Sequence, residues 1–196
     1  MRTRLRVAML AILSASLCAG QSKAPVEATV IVCMNPDQNV QMGVRPIVST
    51  VFGSIGVRID WREPDSCPAE SGAIQVHLSH DAPRIGHSEA LAFARPYAGG
   101  IVVFLDRVQQ LHGAGVRFVM AFVLVHEITH VLEGIERHSA TGVMKARWND
   151  SDYFEMRLNR LRFAPEDVDL IYDGLKMRQA RVATSALVTR AAIAGQ

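Results

Sequence analysis

The segment His126-Glu127-Ile128-Thr129-His130 carries two imidazoles four residues apart, with a carboxylate beside the first. On a helix, positions i and i+4 share one face, so both imidazoles can reach a single metal ion. Imidazole nitrogen suits Zn2+, and Glu127 can take a proton from water held at that ion. The chemistry implied is metal-assisted hydrolysis of a peptide bond, with His126 and His130 as ligands and Glu127 as general base. Two satisfied core histidines are the alternative reading, and they would leave Glu127 a buried acid without a partner.

Such a motif needs a helix to present it. The run Val116-Arg117-Phe118-Val119-Met120-Ala121-Phe122-Val123-Leu124-Val125 is too long for a strand and too short to span a bilayer by itself. It predicts a buried core helix with polar ligands at its end. Gly134 stops that helix by adopting a left-handed conformation. His138 follows, where a turning chain can bring a third imidazole to the metal, and Met144 closes Thr141-Gly142-Val143-Met144. Glu155, and after it Asp152, are rival third ligands from a later segment. Arg137, beside His138, is read as facing solvent. Trp148 lines a pocket near Met144 or anchors the core.

His126-Glu127-x-x-His130 followed by Gly134, His138 and Met144 resembles the signature of metzincin zinc peptidases, of the matrix metalloproteinase and archaemetzincin type. Gly134 comes one residue later, and His138 two residues later, than in the usual pattern. The resemblance implies an α+β fold with a mixed twisted sheet, a long zinc-binding active-site helix, a methionine turn and a C-terminal helix. It also implies Zn2+ held by His126, His130 and His138, with Met144 as an apolar floor that does not bind metal. Ala90 to Asp106 reads as two strands joined by a glycine turn, and Leu91 to Ala94 resembles the family's substrate-binding edge strand. Phe163 to Ile171 resembles the start of its C-terminal helix. Matrix metalloproteinases carry a structural zinc near the region of His77, His80, Asp81 and His87. Their later histidine positions fall here on Phe93 and Phe104, so solvated loop histidines are expected instead. No calcium loop with clustered acids is visible.

The N-terminus has the form of an export signal. Arg2, Arg4 and Arg6 precede an apolar stretch from Val7 to Leu17, and Cys18-Ala19-Gly20 offers a small-residue cleavage site. A lipidated Cys18 is the minor alternative. Removing residues 1–20 takes away three arginines and no acids, so the net charge falls from +2 to about −1 and no basic patch for nucleic acid is evident. The mature chain is expected to be periplasmic or secreted, without a stable membrane span. A pro-segment is not apparent. Cys33 and Cys67 remain, and an exported chain favours a disulfide over a buried free thiol.

Length predicts one domain, residues 21–177, followed by a flexible or helical tail over 178–196. Expected strands are Ala28 to Met34, Val57 to Trp61 and the alternating Ala73 to Leu78. Val44 to Ile55 reads as a helix with Pro46 near its first turn. Loops are expected over Arg62 to Gly72 and His80 to Ser88. A helical turn is expected near Phe154 to Leu161, and a helix from Pro165 to Met177. This order argues a mixed sheet with helices packed on it. The functional expectation is an exported zinc endopeptidase acting on a peptide or protein. The alternatives are a zinc-stabilised binding or structural domain with little catalysis, and a gluzincin-type peptidase in which Glu155 is the third ligand.

Overall fold

The computed structural model describes residues 28–35, 38–67, 72–81, 89–96, 99–111 and 115–194. The export signal expected over 1–20, with Cys18, and the loop histidine His87 lie outside them. In chain order the elements are β1 (Ala28–Met34), α1 (Gln38–Gly53), β2 (Val57–Arg62), a 3-10 turn (Pro64–Ser66), β3 (Ile74–Ser79), β4 (Ala92–Arg95), β5 (Gly100–Phe104), α2 (Leu105–Gln110), α3 (Val116–Glu133), α4 (Asp150–Arg157) and α5 (Pro165–Ala194).

The strands form one sheet in the order β2-β1-β3-β5-β4. All neighbours are parallel except β4 and β5, which run antiparallel. The register lines up one apolar face. Val30 lies opposite Ile59, Val32 opposite Ile74, Val76 opposite Ile101, and Ala92 opposite Val103. These residues are buried, whereas Thr29, Arg58 and His77 of the opposite face are exposed. Period-2 side-chain alternation thus sorts each strand into a core side and an outer side. On the outer side the Phe93 and Phe104 rings pack 6.1 Å apart, with Arg95 over one ring and Arg107 over the other.

Helix α3 is buried on all sides from Val119 to Glu133. It packs on β4 and β5, has α1 beside it and is crossed by α5. This surrounding explains why the helix is apolar all round and lacks a polar face. No described helix is long and apolar enough to cross a membrane. At the α3–α5 crossing Gly174 lies directly against the Leu132 carbonyl, where a side chain would have no room.

Four elements depart from expectation. Helix α1 starts at Gln38, so Pro46 lies well inside it and removes one helical hydrogen bond. Buried Val44, Val48, Val51 and Phe52 hold that helix on the core. The strand ending at Phe104 gives way at once to α2, whose Leu105 and Val108 are buried. Helix α4 starts at Asp150, because Asn149 and Asp152 form a reciprocal capping box there. Helix α5 continues beyond Met177 to Ala194, and Arg178 donates to the Gly72 carbonyl on the way. Cys33 and Cys67 are joined as a disulfide, with their Cα atoms 6.1 Å apart. It ties β1 to the turn after β2.

Candidate metal centre

His126 and His130 lie one turn apart in the last half of α3, both buried. Each uses Nδ1 on a backbone carbonyl: His126 on Val143 at 3.0 Å, and His130 on Ile135 at 3.2 Å. A carbonyl only accepts, so the proton is assigned to Nδ1 and the Nε2 lone pair is left bare in both rings. The two Nε2 atoms then face each other at 3.1 Å. Two lone pairs that close repel unless a cation lies between them. Burial, aided by the neighbouring histidines and opposed by the Val143 hydrogen bond, lowers His126 to about 3, so its ring is neutral. Burial likewise lowers His130.

The third imidazole is His138. Its ring centroid lies 5.2 Å from that of His126 and 5.0 Å from that of His130. One ligand atom from each of the three residues falls within 4.8 Å of the others, and among the described residues this is the convergent metal-binding group. The donor set fits zinc: three imidazoles are a common catalytic ligation, and ~2.0–2.1 Å bonds at tetrahedral angles put nitrogens about 3.3 Å apart. The late glycine and third histidine have a local cause. Helix α3 persists to Glu133, and Gly134 then caps it at φ 71°, ψ 18°, its N–H donating to the His130 carbonyl at 2.9 Å. His138 arrives exposed, on the loop beyond.

That loop is held from two directions. Ser139 N–H donates to the Met144 carbonyl at 2.8 Å, and Val143 N–H to the Arg162 carbonyl at 2.9 Å. Gly142 is required at φ +75°, because a Cβ there would overlap the Arg162 carbonyl oxygen. Met144 is fully buried, one residue from the carbonyl that orients His126. Arg137 does not simply face solvent. It donates to the Asp167 carboxylate at 3.0 Å and to the Ser139 hydroxyl at 2.8 Å. A buried acid thirty residues away in sequence holds it, and nothing in the local sequence marks the pairing. Asp167 reads in sequence as an ordinary acid in a helix's first turn, and Glu133 as the end of a helix. Both are buried, and the two Glu133 carboxylate oxygens have no hydrogen-bond partner.

Glu127 is buried beside His126 and accepts the backbone N–H of Ala94. Desolvation outweighs that hydrogen bond and raises its carboxyl to about 8. Strand β4 is at the sheet edge. The carbonyls of Leu91 and Arg95 accept from Phe104 and Gly99 on the β5 side. By alternation, the backbone groups of Ala92 and Ala94 point away from β5, to the side on which no described strand pairs.

The rival ligands are engaged elsewhere. Glu155 accepts two hydrogen bonds from Arg160, at 3.0 and 2.9 Å. Asp152 pairs with Lys145 and accepts the Asn149 N–H. His77, His80 and Asp81 are exposed and do not converge with one another. Trp148 is half-buried. Its indole N–H donates to the Val143 carbonyl at 3.1 Å, its ring stands edge-on to His126 at 5.6 Å, and Tyr153 packs on it at 6.4 Å. It therefore supports His126 through the same carbonyl that fixes the imidazole.

No family model matches the chain, and no curated protein matches it significantly. Among solved structures, archaemetzincin from Methanopyrus kandleri is similar at 17% identity and a TM-score of 0.46, over 76% of this chain and 96% of that one.

Proposed function

We propose that this chain is an exported zinc-dependent peptidase. The observation that carries the reading is the convergence of His126, His130 and His138, with two bare Nε2 atoms 3.1 Å apart, next to the buried carboxylate of Glu127. The three histidines would hold the ion. A bound Zn2+ would act as a Lewis acid toward water and the scissile carbonyl. Without metal, burial holds Glu127 protonated near neutral pH; a zinc ion beside it would favour the carboxylate, which would accept the proton of the attacking water and return it to the leaving nitrogen. Its hydrogen bond from Ala94 keeps the carboxylate at the junction of α3 and the edge strand. The outer side of β4 would offer the Ala92 backbone groups and the Ala94 carbonyl to an extended peptide. Met144 would supply the apolar floor of the site.

Two features favour catalysis over a closed structural zinc. Structural sites are completed by four protein ligands, whereas three converge here among the described residues. The third, His138, is exposed, which leaves the metal approachable. Export is supported by the arginine-rich, apolar N-terminus and by the Cys33–Cys67 disulfide, which suits an oxidising compartment.

The test combines metal content with turnover. The purified mature chain is expected to hold one zinc, and His138→Ala to lose most of it. Glu127→Gln should keep the zinc and the fold while peptide hydrolysis falls by about 10²–10⁴-fold. Zinc-free wild-type protein would remove the basis of the reading. Undiminished turnover in Glu127→Gln would remove the general base.

A further inference from the structure

The third ligand is the weakest-supported of the three by its own surroundings. His126 and His130 are set in a buried helix, but His138 lies exposed on a loop. Its two sequence neighbours, however, converge on one atom. Arg137 and the Ser139 hydroxyl both donate to Oδ1 of Asp167, and Arg137 also donates to the Ser139 oxygen. Oδ2 of Asp167 accepts the Ala164 N–H at 3.1 Å. The carboxylate is fully buried in the first turn of α5, where the positive end of the helix dipole favours an anion. A buried charge is tolerated only when it is paired and hydrogen-bonded, and here the Arg137 guanidinium and the backbone N–H meet that requirement.

We propose that Asp167 is a positioning residue for the third metal ligand: through Arg137 and Ser139 it fixes the backbone on both sides of His138 and so sets the affinity of the centre. The proposal rests on the three-histidine reading of the site. A ligand free to wander must be ordered when metal binds, which weakens affinity; one held from both sides is already in place. The clasp reaches His138 without touching the metal, in the manner of partners that orient ligating side chains.

The experiment is a zinc-affinity cycle on the purified mature chain, using Zn2+ against a chromophoric chelator. The variants are Asp167→Asn, His138→Ala and the double variant, with metal-free thermal unfolding as a check on folding. Asp167→Asn is expected to weaken zinc about 10–100-fold, within the range for partners that orient ligands. In the His138→Ala background the same change should cost no further affinity, because the ligand it positions is gone. The Co2+-loaded protein should show the same pattern: a changed visible spectrum in Asp167→Asn, and no additional change in the double variant. Wild-type affinity in Asp167→Asn, or losses that add in the double variant, would overturn the proposal and leave the three-histidine site standing. Undiminished zinc binding by His138→Ala would overturn the reading beneath it. If Asp167→Asn does not fold, Ser139→Ala and Arg137→Gln enter the same cycle, with the same expected non-additivity and the same refuting result.

Discussion

Gly174→Ala is a test of how closely α5 must approach α3. In an exposed helix, replacing glycine by alanine stabilises by ~1 kcal/mol. Here an added Cβ would overlap the Leu132 carbonyl oxygen, lie 2.8 Å from its carbon and approach the Glu133 Cα to 3.3 Å. The obstructing atoms are backbone of a helix buried on all sides, so they cannot rotate away. Overpacking of this kind costs ~1–3 kcal/mol, and an obstruction by rigid backbone belongs at the upper end. The clash therefore outweighs the propensity gain, for a net loss of about 2 kcal/mol. For a chain of this size that lowers Tm by roughly 4–8 °C. The assay is thermal unfolding of metal-free protein, so that ligand binding does not mask the change. Gly53→Ala is the control, because a Cβ at the end of α1 meets nothing within 4 Å. It should leave Tm unchanged or raise it slightly. A Gly174→Ala protein as stable as wild type would refute the argument that the helices touch at this point.

Three further outcomes follow from the buried groups and the disulfide. Glu133 is raised from 4.5 to about 7 by burial, with Asp167 adding to the shift and Arg137 opposing it. Its folded form holds a proton that the unfolded chain has released, so it subtracts stability as pH rises through about 4.5–7; Glu133→Gln should gain on wild type by roughly 3 kcal/mol at pH 8 and by little at pH 4, measured by urea unfolding. His126 has the opposite sign: its folded value is depressed from 6.5 to about 3, so the metal-free protein should lose stability as pH falls from 6.5 toward 3, and zinc binding should weaken over the same range. A His126→Gln variant with an unchanged acid limb would contradict that assignment. Opening the Cys33–Cys67 bridge, which spans 34 residues, should cost roughly 3–4 kcal/mol by chain entropy, read as the difference in unfolding free energy between wild type and Cys33→Ser/Cys67→Ser.

The parts legible in the sequence were those with a local physical cause. The β-branched run of β1 and the alternation of β3 mark strands whatever surrounds them. The i, i+4 histidines and the αL glycine belong to one helix and its cap, so spacing alone places them. Boundaries failed where short-range chemistry competed. Asn149 and Asp152 start α4 early, and Leu105 and Val108 turn the end of a strand into a helix. Long-range pairing was hidden. Arg137 looks like any solvent-facing arginine until α5 folds back and brings Asp167 against it. Glu133 reads as an ordinary helical acid, and only the packed structure reveals its unpartnered oxygens.

The open side of β4 has a consequence for how molecules of this protein meet each other. An unpaired edge that can receive an extended peptide can also receive the edge of another copy, which is the usual route to strand-to-strand aggregation. This edge is short, with four residues from Ala92 to Arg95. Arg95 is exposed at its end and Pro96, which has no N–H to offer, follows directly. The Ala94 N–H is already taken by Glu127. Along the four residues of β4 few backbone groups stand free in a row, which disfavours templating by another edge. Shortness, an exposed arginine and a following proline are devices that blunt strand-to-strand pairing, and a peptide lying along β4, as proposed above, would meet the same short edge.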